Sequence, residues 1–423
     1  MKEIIVNFEK IGHNGASIGK YNGKIVFAYG VLPGEKAKIR IIQEKKNLIK
    51  GEVVEILEKS KFRIKELEGH YLSCSPWQVF AYNYQLELKN NLLRQIFKDF
   101  AHIDIELENF YPSPKVFGYR TKIEYSFLED NNKYNFAFYK RESSKEKIKI
   151  ENGCKLISDK VNEVAFQILE EINNNKVEDL KTLIIRKSQR YEDIHFSLLT
   201  MNKNQKFEFK NEKLSGFSFI YSKPESPAST FDEIIFEWGR EYLREKILDF
   251  EIYYHYTSFF QNNIDLFEKA LEIMRENSRE FNKIVDLYAG VGIIGLSLKD
   301  FSKEILSVEI DEKTANYAKF NADLNNIKNF KVFTLASEKI PKNILENTDL
   351  LILDPPRAGL HKKLISLILE TLPQNIFYLS CNPITQARDF SLLKERYKIK
   401  KIYGFDFYPN TPHMESLLIL ELV

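Results

Sequence analysis

The sequence predicts an α/β protein whose C-terminal part is an open, largely parallel sheet with helices packed on it. Three apolar segments support this prediction, at residues 283–287, 349–353 and 376–379. Each is short enough for a buried strand, and each is followed by a turn with glycine or polar residues. Open α/β sheets bind their ligands in such turns, at the carboxyl ends of the strands. We therefore expect a Rossmann-like domain over residues 256–423.

Length and composition indicate an ordinary globular protein. The chain has 423 residues, 43% of them hydrophobic and 29% charged, which suits two or three domains. No apolar run reaches the roughly 20 residues that a membrane helix needs, and the N-terminus lacks the apolar core of a signal peptide. Three cysteines do not make a disulfide framework. We expect a monomer in a reducing cytoplasm, without a membrane partner.

Basic residues are concentrated at the N-terminal end. Residues 1–65 hold 14 Lys and Arg against 7 Glu and no Asp, whereas residues 281–423 hold 18 basic and 17 acidic residues. The front segment alternates short apolar runs with turns such as Asn14-Gly15 and Pro33-Gly34, which predicts a small OB-like barrel over residues 1–60. A basic barrel face can follow a phosphate backbone, although a solvated lysine-rich surface explains the same charge.

Residues 61–255 are predicted to form a mixed α/β region. Apolar residues recur at helical spacing over residues 82–100, and this helix can dock on the C-terminal domain. Two hairpins follow, at residues 121–139 and 182–199. Arg120, Lys122 and Glu124 fall on one face of the first hairpin strand. That face is either a solvated surface with charge pairs or a surface for nucleic acid.

A glycine turn follows the strand at residues 283–287. Gly290-x-Gly292-x-x-Gly295 matches the dinucleotide fingerprint, and Glu309 follows the next strand at the spacing expected for an acid that binds a ribose. Glycines at these positions let the backbone approach a nucleotide closely. The pattern leaves two cofactors open, NAD(P) and S-adenosylmethionine.

Two further strand ends carry unusual residues. Asp354-Pro355-Pro356-Arg357 follows the strand at residues 349–353, a placement that is typical of methyltransferases. Related Asn/Asp-Pro-Pro loops of amino-methyltransferases present an exocyclic amine to the methyl donor, but those enzymes need no cysteine. Here the strand at residues 376–379 ends in Ser380-Cys381-Asn382-Pro383. The thiol of Cys381 is either a nucleophile or an inert small hydrophobe.

Together these motifs resemble the RNA uracil-5-methyltransferase family, which contains the tRNA T-loop and 23S ribosomal RNA uridine enzymes. The resemblance rests on residues 258–262, 286–292, 354–357, 379–383 and 409–415, the last being Pro-Asn-Thr-Pro-His-Met-Glu. At the front, residues 11–19 and 30–35 resemble a TRAM domain, an OB-like barrel found on RNA-modifying enzymes. The resemblance runs essentially end to end and implies a Rossmann-like class I methyltransferase domain that uses S-adenosylmethionine.

The resemblance also implies roles for individual residues. Cys381 corresponds to the nucleophile and Glu415 to the base. The cofactor-binding residues implied are Gln261, Tyr288, Glu309 and Asp354. Residues implied or expected to contact the substrate are Arg120, Lys122, Phe259 and Arg357. The charge of Arg357 is expected to lower the pKa of the Cys381 thiol.

The substrate follows from the same resemblance. We expect RNA, with 23S rRNA favoured because the bacterial tRNA branch usually lacks a TRAM domain. A tRNA T-loop uridine is the alternative within the class. A non-catalytic RNA-binding protein and an NAD-dependent oxidoreductase are alternatives from other classes. The oxidoreductase leaves Asp354–Arg357 and Cys381 without a role.

Some members of the family carry an iron–sulfur cluster held by four cysteines. This sequence departs from them in its candidate metal ligands. Apart from Cys381, this chain has Cys74 and Cys154, and Trp77 stands where a ligand cysteine is expected. Two thiolates cannot give four-cysteine ligation. We therefore predict no iron–sulfur cluster and no metal.

Overall fold

The N-terminal segment forms a closed barrel, as predicted. The computed structural model describes residues 2–227 and 229–423. The barrel closes in the order β1-β2-β3-β5-β4, with bounds β1 Glu3–Ile11, β2 Ser17–Tyr21, β3 Lys24–Ala28, β4 Lys36–Glu44 and β5 Leu48–Glu58. Alternate residues of β1, including Val6 and Phe8, fill the barrel interior.

A second sheet forms the middle of the chain. It runs in the order β13-β12-β11-β10-β7-β8-β9, and α3 packs its apolar face against it. The bounds are α1 Tyr71–Cys74, α2 Tyr82–Phe100, β6 Asn109–Tyr111, β7 Lys122–Asp130, β8 Lys133–Tyr139, β9 Lys147–Lys149, α3 Asp159–Asn174, β10 Leu180–Lys187, β11 Ile194–Thr200, β12 Gly216–Tyr221 and β13 Glu233–Gly239. A separate hairpin follows, formed by β14 Tyr242–Ile247 and β15 Phe250–His255.

The C-terminal part forms the predicted Rossmann-like sheet. Its strand order is β18-β17-β16-β19-β20-β22-β21-β6. Strands β16 to β20 are parallel, and β22 enters antiparallel between β20 and β21. The bounds are α4 Ile264–Glu276, β16 Phe281–Leu287, α5 Ile293–Ser297, β17 Ser302–Glu309, α6 Glu312–Leu324, β18 Phe330–Thr334, α7 Lys342–Leu345, β19 Leu350–Leu353, α8 Lys362–Thr371, β20 Asn375–Ser380, α9 Pro383–Leu393, β21 Tyr397–Phe405 and β22 Glu415–Leu422.

Packing does not follow the boundary drawn at residues 255/256 from the sequence. Leu93 and Phe97 of α2 lie in the same buried cluster as Phe390 of α9, and β6 pairs with β21 at the edge of the C-terminal sheet. The β14–β15 hairpin joins the other buried cluster of this domain through residues such as Ile252. Elements from the middle region therefore complete the core of the C-terminal domain.

A buried ion pair fixes α2 to the segment ahead of Glu415. Lys89 of α2 donates to the Asp406 carboxylate, and both side chains are fully buried. Lys89 Nζ also donates to the carbonyl of Tyr408 at 3.1 Å. Burial makes each charge unfavourable. The two side chains remain charged because each charge offsets the other. The contact holds the polypeptide that leads from β21 to β22.

The barrel also touches this segment. A Cβ built on Gly15 would lie 2.1 Å from Pro412 Cβ, so a side chain there would clash. Trp77 bridges the two parts: its Nε1 donates to the carbonyl of Gly15 at 2.9 Å, and its backbone N–H donates to the carbonyl of Asn410 at 3.0 Å. The barrel is thereby held against residues 409–415.

No helix within residues 2–227 and 229–423 is long and apolar enough to cross a membrane.

Candidate active site

The glycine turn between β16 and α5 is shaped by three left-handed residues. Tyr288, Gly290 and Gly292 have φ values of 61°, 56° and 88°. A positive φ is strained for tyrosine and common for glycine. The surrounding contacts must therefore hold the backbone of Tyr288 in this conformation. A Cβ on Gly290 would meet nothing within 4 Å, which leaves open space directly over the turn.

Asp286 stabilises this turn through a hydrogen bond. Its side chain is fully buried, and Oδ2 accepts the backbone N–H of Gly295 at 3.0 Å. Burial, with the nearby charges of Asp354 and Glu309 adding to it, raises the pKa of Asp286 to about 8. The carboxyl is therefore largely protonated at neutral pH, which suits a structural role.

Glu309 lies at the carboxyl end of β17, beside the turn. Its Oε2 accepts the N–H of Gly290 at 2.9 Å, and its Oε1 accepts the N–H of Asp311 at 2.9 Å. Two backbone bonds fix the carboxylate, yet each oxygen keeps a further lone pair for a ligand. The binding of a ribose by Glu309 stays a prediction.

Gln261 and Asp354 meet at the other side of the same sheet edge. Gln261 Nε2 donates to Asp354 Oδ2 at 3.4 Å. Loss of hydration raises the pKa of Asp354 to about 7. Gln261 is 6% exposed, and its Oε1 has no hydrogen-bond partner among the described residues. A buried amide oxygen without a partner is costly and marks a place for a donor from a ligand.

The Asp-Pro-Pro-Arg loop is tied to the loop that carries Cys381. Asn382 Nδ2 donates to the carbonyl of Arg357 at 2.8 Å, and Thr385 Oγ1 donates to the same carbonyl at 3.2 Å. Asn382 Oδ1 also accepts the N–H of Ile384 and so caps α9. These bonds fix Arg357 relative to the thiol of Cys381.

Strand register brings Cys381 and Glu415 to the same end of the sheet. Ser380, the last residue of β20, pairs with Ser416 of β22 in an antiparallel ladder. Cys381 and Glu415 occupy the next positions of the two strands, one step beyond that pair. Glu415 is 3% exposed and Cys381 is half-buried.

Burial dominates the electrostatics of this pair. Burial, with the charge of Glu415 adding to it and Arg357 opposing it, raises the pKa of the Cys381 thiol to about 12. Burial raises the pKa of Glu415 well above its usual range, with the charge of Asp354 adding to the rise. Arg357 therefore acts in the expected direction, but it does not outweigh burial. The Cys381 thiol therefore holds its proton at neutral pH in the ligand-free site, and burial favours the protonated form of Glu415.

The remaining predicted residues are Arg120, Lys122 and Phe259. Arg120 and Lys122 line a cavity of about 370 Å³ together with His413, which belongs to the 409–415 segment. Lys122 pairs with Glu124 at 2.5 Å, and Nε of Arg120 is buried without a hydrogen-bond partner among the described residues. Phe259 is 63% exposed and projects from the loop between β15 and α4.

Tyr408 is a neighbour that the sequence motifs did not single out. Its hydroxyl lies against Glu415 and lowers the pKa of that carboxyl, opposing burial. His413 is also part of the surroundings: burial lowers its pKa to about 3, so its imidazole is neutral. Tyr408 stands one residue before the quoted 409–415 motif, but only the fold indicates that it faces Glu415.

The edge of the sheet fits S-adenosylmethionine. Glu309 ends β17 and Asp354 follows β19, so both carboxyls lie at the carboxyl ends of parallel strands. The unpartnered oxygen of Gln261 lies on a side chain bonded to Asp354, and Gly290 with the open space over it is bonded to Glu309. Open α/β sheets bind nucleotides outside such strand ends.

Comparisons with known proteins agree with this geometry. A model of the tRNA (uracil-5-)-methyltransferase family matches residues 81–423, and a TRAM domain model matches residues 2–54. An RNA methyltransferase of Nanoarchaeum equitans is 30% identical over 451 residues, covering 100% of this chain and 93% of its own. One of Caldanaerobacter subterraneus is 27% identical over 442 residues, covering 99% and 98%.

A solved structure matches over nearly the full length. The Pyrococcus abyssi tRNA (uracil-54, C5)-methyltransferase in complex with S-adenosyl-L-homocysteine is 26% identical, with a TM-score of 0.79, covering 98% of this chain and 99% of its own. The predicted fold, family and methyl donor are thereby confirmed. The chain belongs to the tRNA (uracil-5-)-methyltransferase family and is an S-adenosylmethionine-dependent RNA (uracil-5-)-methyltransferase with an N-terminal TRAM domain.

Proposed function

We propose that the protein methylates carbon 5 of a loop uridine through a covalent bond between Cys381 and carbon 6 of the base. The register of β20 and β22 carries the proposal, because it sets a thiol and a carboxyl at neighbouring strand ends. S-adenosylmethionine, when bound, supplies the methyl group as an electrophile. A loop uridine suits this site because it is the least costly to turn out of its stack.

The chemistry needs a nucleophile because carbon 5 of uracil is itself poorly nucleophilic. The Cys381 thiolate bonds to carbon 6, and the electrons of the C5–C6 double bond move to the carbonyl at carbon 4 as an enolate. The C4 carbonyl then re-forms, and the electron pair at carbon 5 bonds to the methyl group; the methyl–sulfur bond would break in the same step and leave S-adenosylhomocysteine. Glu415, as a carboxylate, removes the proton from carbon 5, the double bond forms again, and the thiolate leaves carbon 6.

The residues around Cys381 have to control whether the thiol and the Glu415 carboxyl carry a proton. The free site holds Cys381 as a thiol and favours the protonated form of Glu415, so protons must leave before the thiolate adds and the base acts. Arg357 supports the thiolate because it is the positive charge that lowers the Cys381 pKa. Asn382 and Thr385 position Arg357 through its backbone carbonyl.

We propose that four residues hold the methyl donor. The Glu309 carboxylate suits two ribose hydroxyls, because its oxygens can each accept one more hydrogen bond. Asp354 as an anion attracts the positive sulfonium, and Gln261 orients it through the 3.4 Å hydrogen bond. Tyr288, held at positive φ beside the open space over Gly290, borders the adenosine crevice.

RNA binding is assigned to the front and middle of the chain. We propose that residues 1–60 and 61–255 bind RNA and that residues 256–423 carry the chemistry. Arg120 and Lys122 offer charges for phosphate in the cavity beside His413. The exposed ring of Phe259 offers a surface on which an unstacked base can lie.

The RNA that carries the uridine has two candidates. The TRAM domain favours 23S rRNA by the family habit described above. The likeness to the Pyrococcus abyssi tRNA enzyme favours a tRNA, because that match covers 98% of this chain and so includes the barrel. We keep 23S rRNA as the first candidate and tRNA as the second.

Mass mapping of RNA from a deletion strain tests both candidates. Loss of 5-methyluridine from one 23S rRNA site, restored by the wild-type gene but not by a Cys381→Ala gene, supports the first. Loss from tRNA alone supports the second. Unchanged 5-methyluridine at every site of both RNAs contradicts the proposal.

A further inference from the structure

A cluster of metal-ligand side chains lies between the barrel and the middle sheet. Glu68, His70, Cys74 and Cys154 each offer one oxygen, nitrogen or sulfur atom, and these four atoms all lie within 4.8 Å of one another. Ligand bonds of roughly 2.0–2.3 Å place the atoms of a tetrahedral zinc shell about 3–4 Å apart. The cluster therefore needs only small side-chain movements to surround one ion. None of the four has a role in the chemistry proposed above.

His70 gives an independent indication of a ligand. It is 6% exposed, and its Nε2 has no hydrogen-bond partner within the described residues. Nε2 lies 3.3 Å from Glu68 Oε1, but without the geometry of a hydrogen bond. A buried ring nitrogen without a partner costs free energy, and a metal ion in the cluster would satisfy it.

The carboxylate of Glu68 is already fixed from outside the cluster. Its Oε1 accepts the N–H of Lys155 at 2.6 Å, and its Oε2 accepts from Gln78 Nε2 at 3.0 Å. Gln78 is itself held, because its Oε1 accepts the N–H of Leu67 at 2.6 Å. Outer hydrogen bonds of this kind orient the ligands of metal sites.

Cys154 is fixed in the same way on the opposite side. It is fully buried, and its N–H donates to the hydroxyl of Tyr125 at 3.1 Å. Asn162 Nδ2 donates to the carbonyl of Cys154 at 3.1 Å. Cys74 is half-buried and lines the 370 Å³ cavity, which offers an ion a way in.

The donor set does not fit a four-cysteine iron–sulfur cluster. Trp77 has no ligand atom to offer, because its Nε1 donates to Gly15 and its ring is buried. Two thiolates, one imidazole and one carboxylate instead match a closed tetrahedral zinc site. The sequence-based prediction of no metal rested on the number of thiolates and did not consider a histidine and a glutamate as ligands.

We propose that Glu68, His70, Cys74 and Cys154 bind one zinc ion. The ion ties the segment that follows the barrel to the loop that precedes α3, and so stabilises the join between the barrel and the middle sheet. Its binding free energy adds to the stability of the folded chain, because the unfolded chain has no preformed site.

Metal analysis of the purified full-length protein tests the proposal. Protein produced with zinc in the medium is expected to carry one zinc per chain. His70→Ala and Cys154→Ser are expected to lose it. His102→Ala, at an exposed histidine, and Cys381→Ser are matched controls that keep the zinc.

A variant outside the ligand set tests zinc binding in case a ligand substitution prevents folding. Gln78→Ala leaves all four ligands in place and is expected to weaken zinc binding by about 10–100-fold in competition with a chelator. Cobalt(II) added to the metal-free protein is expected to give a thiolate-to-cobalt absorption band. Circular dichroism checks that each variant is folded.

Several outcomes would overturn the proposal. They are wild-type protein that takes up neither zinc nor cobalt, zinc retained by folded His70→Ala and Cys154→Ser, zinc affinity unchanged in Gln78→Ala, and stoichiometric iron with sulfide in anaerobically purified protein. A Cys74–Cys154 disulfide in that same protein would also contradict it.

Discussion

Cys381 and Glu415 stand opposite each other across two antiparallel strands, although they are far apart in the chain. The ladder of β20 and β22 ends with the pair Ser380 and Ser416. Cys381 follows Ser380 in the chain and Glu415 precedes Ser416, so both lie one step beyond that pair. Glu415 is buried and Cys381 half-buried, and the two share one electrostatic environment, with Arg357 as a nearby positive charge. The pair supplies the two functions that uracil methylation requires of the protein, a nucleophile and a base.

Removal of the base should trap the adduct. Glu415→Gln keeps the shape of the side chain but cannot accept the proton from carbon 5, so we expect turnover to fall by about 10²–10⁴-fold. The protein–RNA adduct should accumulate and appear on a denaturing gel. Glu421→Gln, on the same strand and half-exposed, is the matched control and should turn over normally. A Glu415→Gln variant with wild-type turnover would rule out this role.

Removal of the nucleophile should abolish the adduct altogether. RNA with 5-fluorouridine at the target should form a stable complex with the wild type in the presence of S-adenosylmethionine, because fluorine cannot leave as a proton. Cys381→Ala should form none. The measurement is mass spectrometry of the cross-linked peptide, and an adduct at Cys74 or Cys154 would refute the assignment.

Alkylation of the Cys381 thiol should report its raised pKa. With a pKa of about 12, the thiolate fraction and hence the alkylation rate should still rise with pH well above 9. Arg357→Ala removes the positive charge that lowers this pKa, and each unit of further increase reduces the thiolate fraction by about 10-fold. Peptide mapping after timed alkylation gives the rate at Cys381. Arg396→Ala, at an exposed arginine, is the control, and an unchanged pH dependence in Arg357→Ala would contradict the role of that residue.

Binding of the methyl donor should depend on the ionisation of Asp354. Its pKa is raised to about 7, so the group is neutral below that pH and anionic above it. An anion attracts the sulfonium, and affinity for S-adenosylmethionine should therefore rise with pH, by up to about 10-fold per pH unit below the pKa. S-adenosylhomocysteine has no positive sulfur and should depend less on pH. In calorimetry, Asp354→Asn should remove the difference in pH dependence between the two ligands. If that difference persists, another titrating group causes it, and Asp286 is the first to test.

Breaking the buried ion pair should destabilise the fold. Lys89→Met leaves Asp406 buried without a countercharge, which should cost about 3–5 kcal/mol in the free energy of unfolding. Lys89→Met combined with Asp406→Leu should recover much of that loss, because no charge is then buried. Denaturant unfolding measures both. Lys98→Ala, from the exposed Lys98–Asp104 pair, should change little, and equal losses in the single and double variants would contradict the explanation.

Local patterns in the sequence determined the elements of this protein and the identity of its chemical groups. The helix predicted over residues 82–100 has those bounds, and Lys133–Tyr139 is a strand as predicted. Periodicity, turn residues and short apolar runs act over a few neighbouring residues, so the chain alone carries this information. The glycine turn, the Asp354–Arg357 loop and the thiol at a strand end were found by the same means.

Only the tertiary structure decided which distant groups meet. The insertion of β22 between β20 and β21 sets Glu415 opposite Cys381, and burial there raises the thiol pKa although Arg357 is near. Folding likewise adds β6 to the C-terminal sheet and gathers Glu68 and His70 around two cysteines. Strand pairing and desolvation depend on residues that are remote in the chain, and no local pattern encodes them.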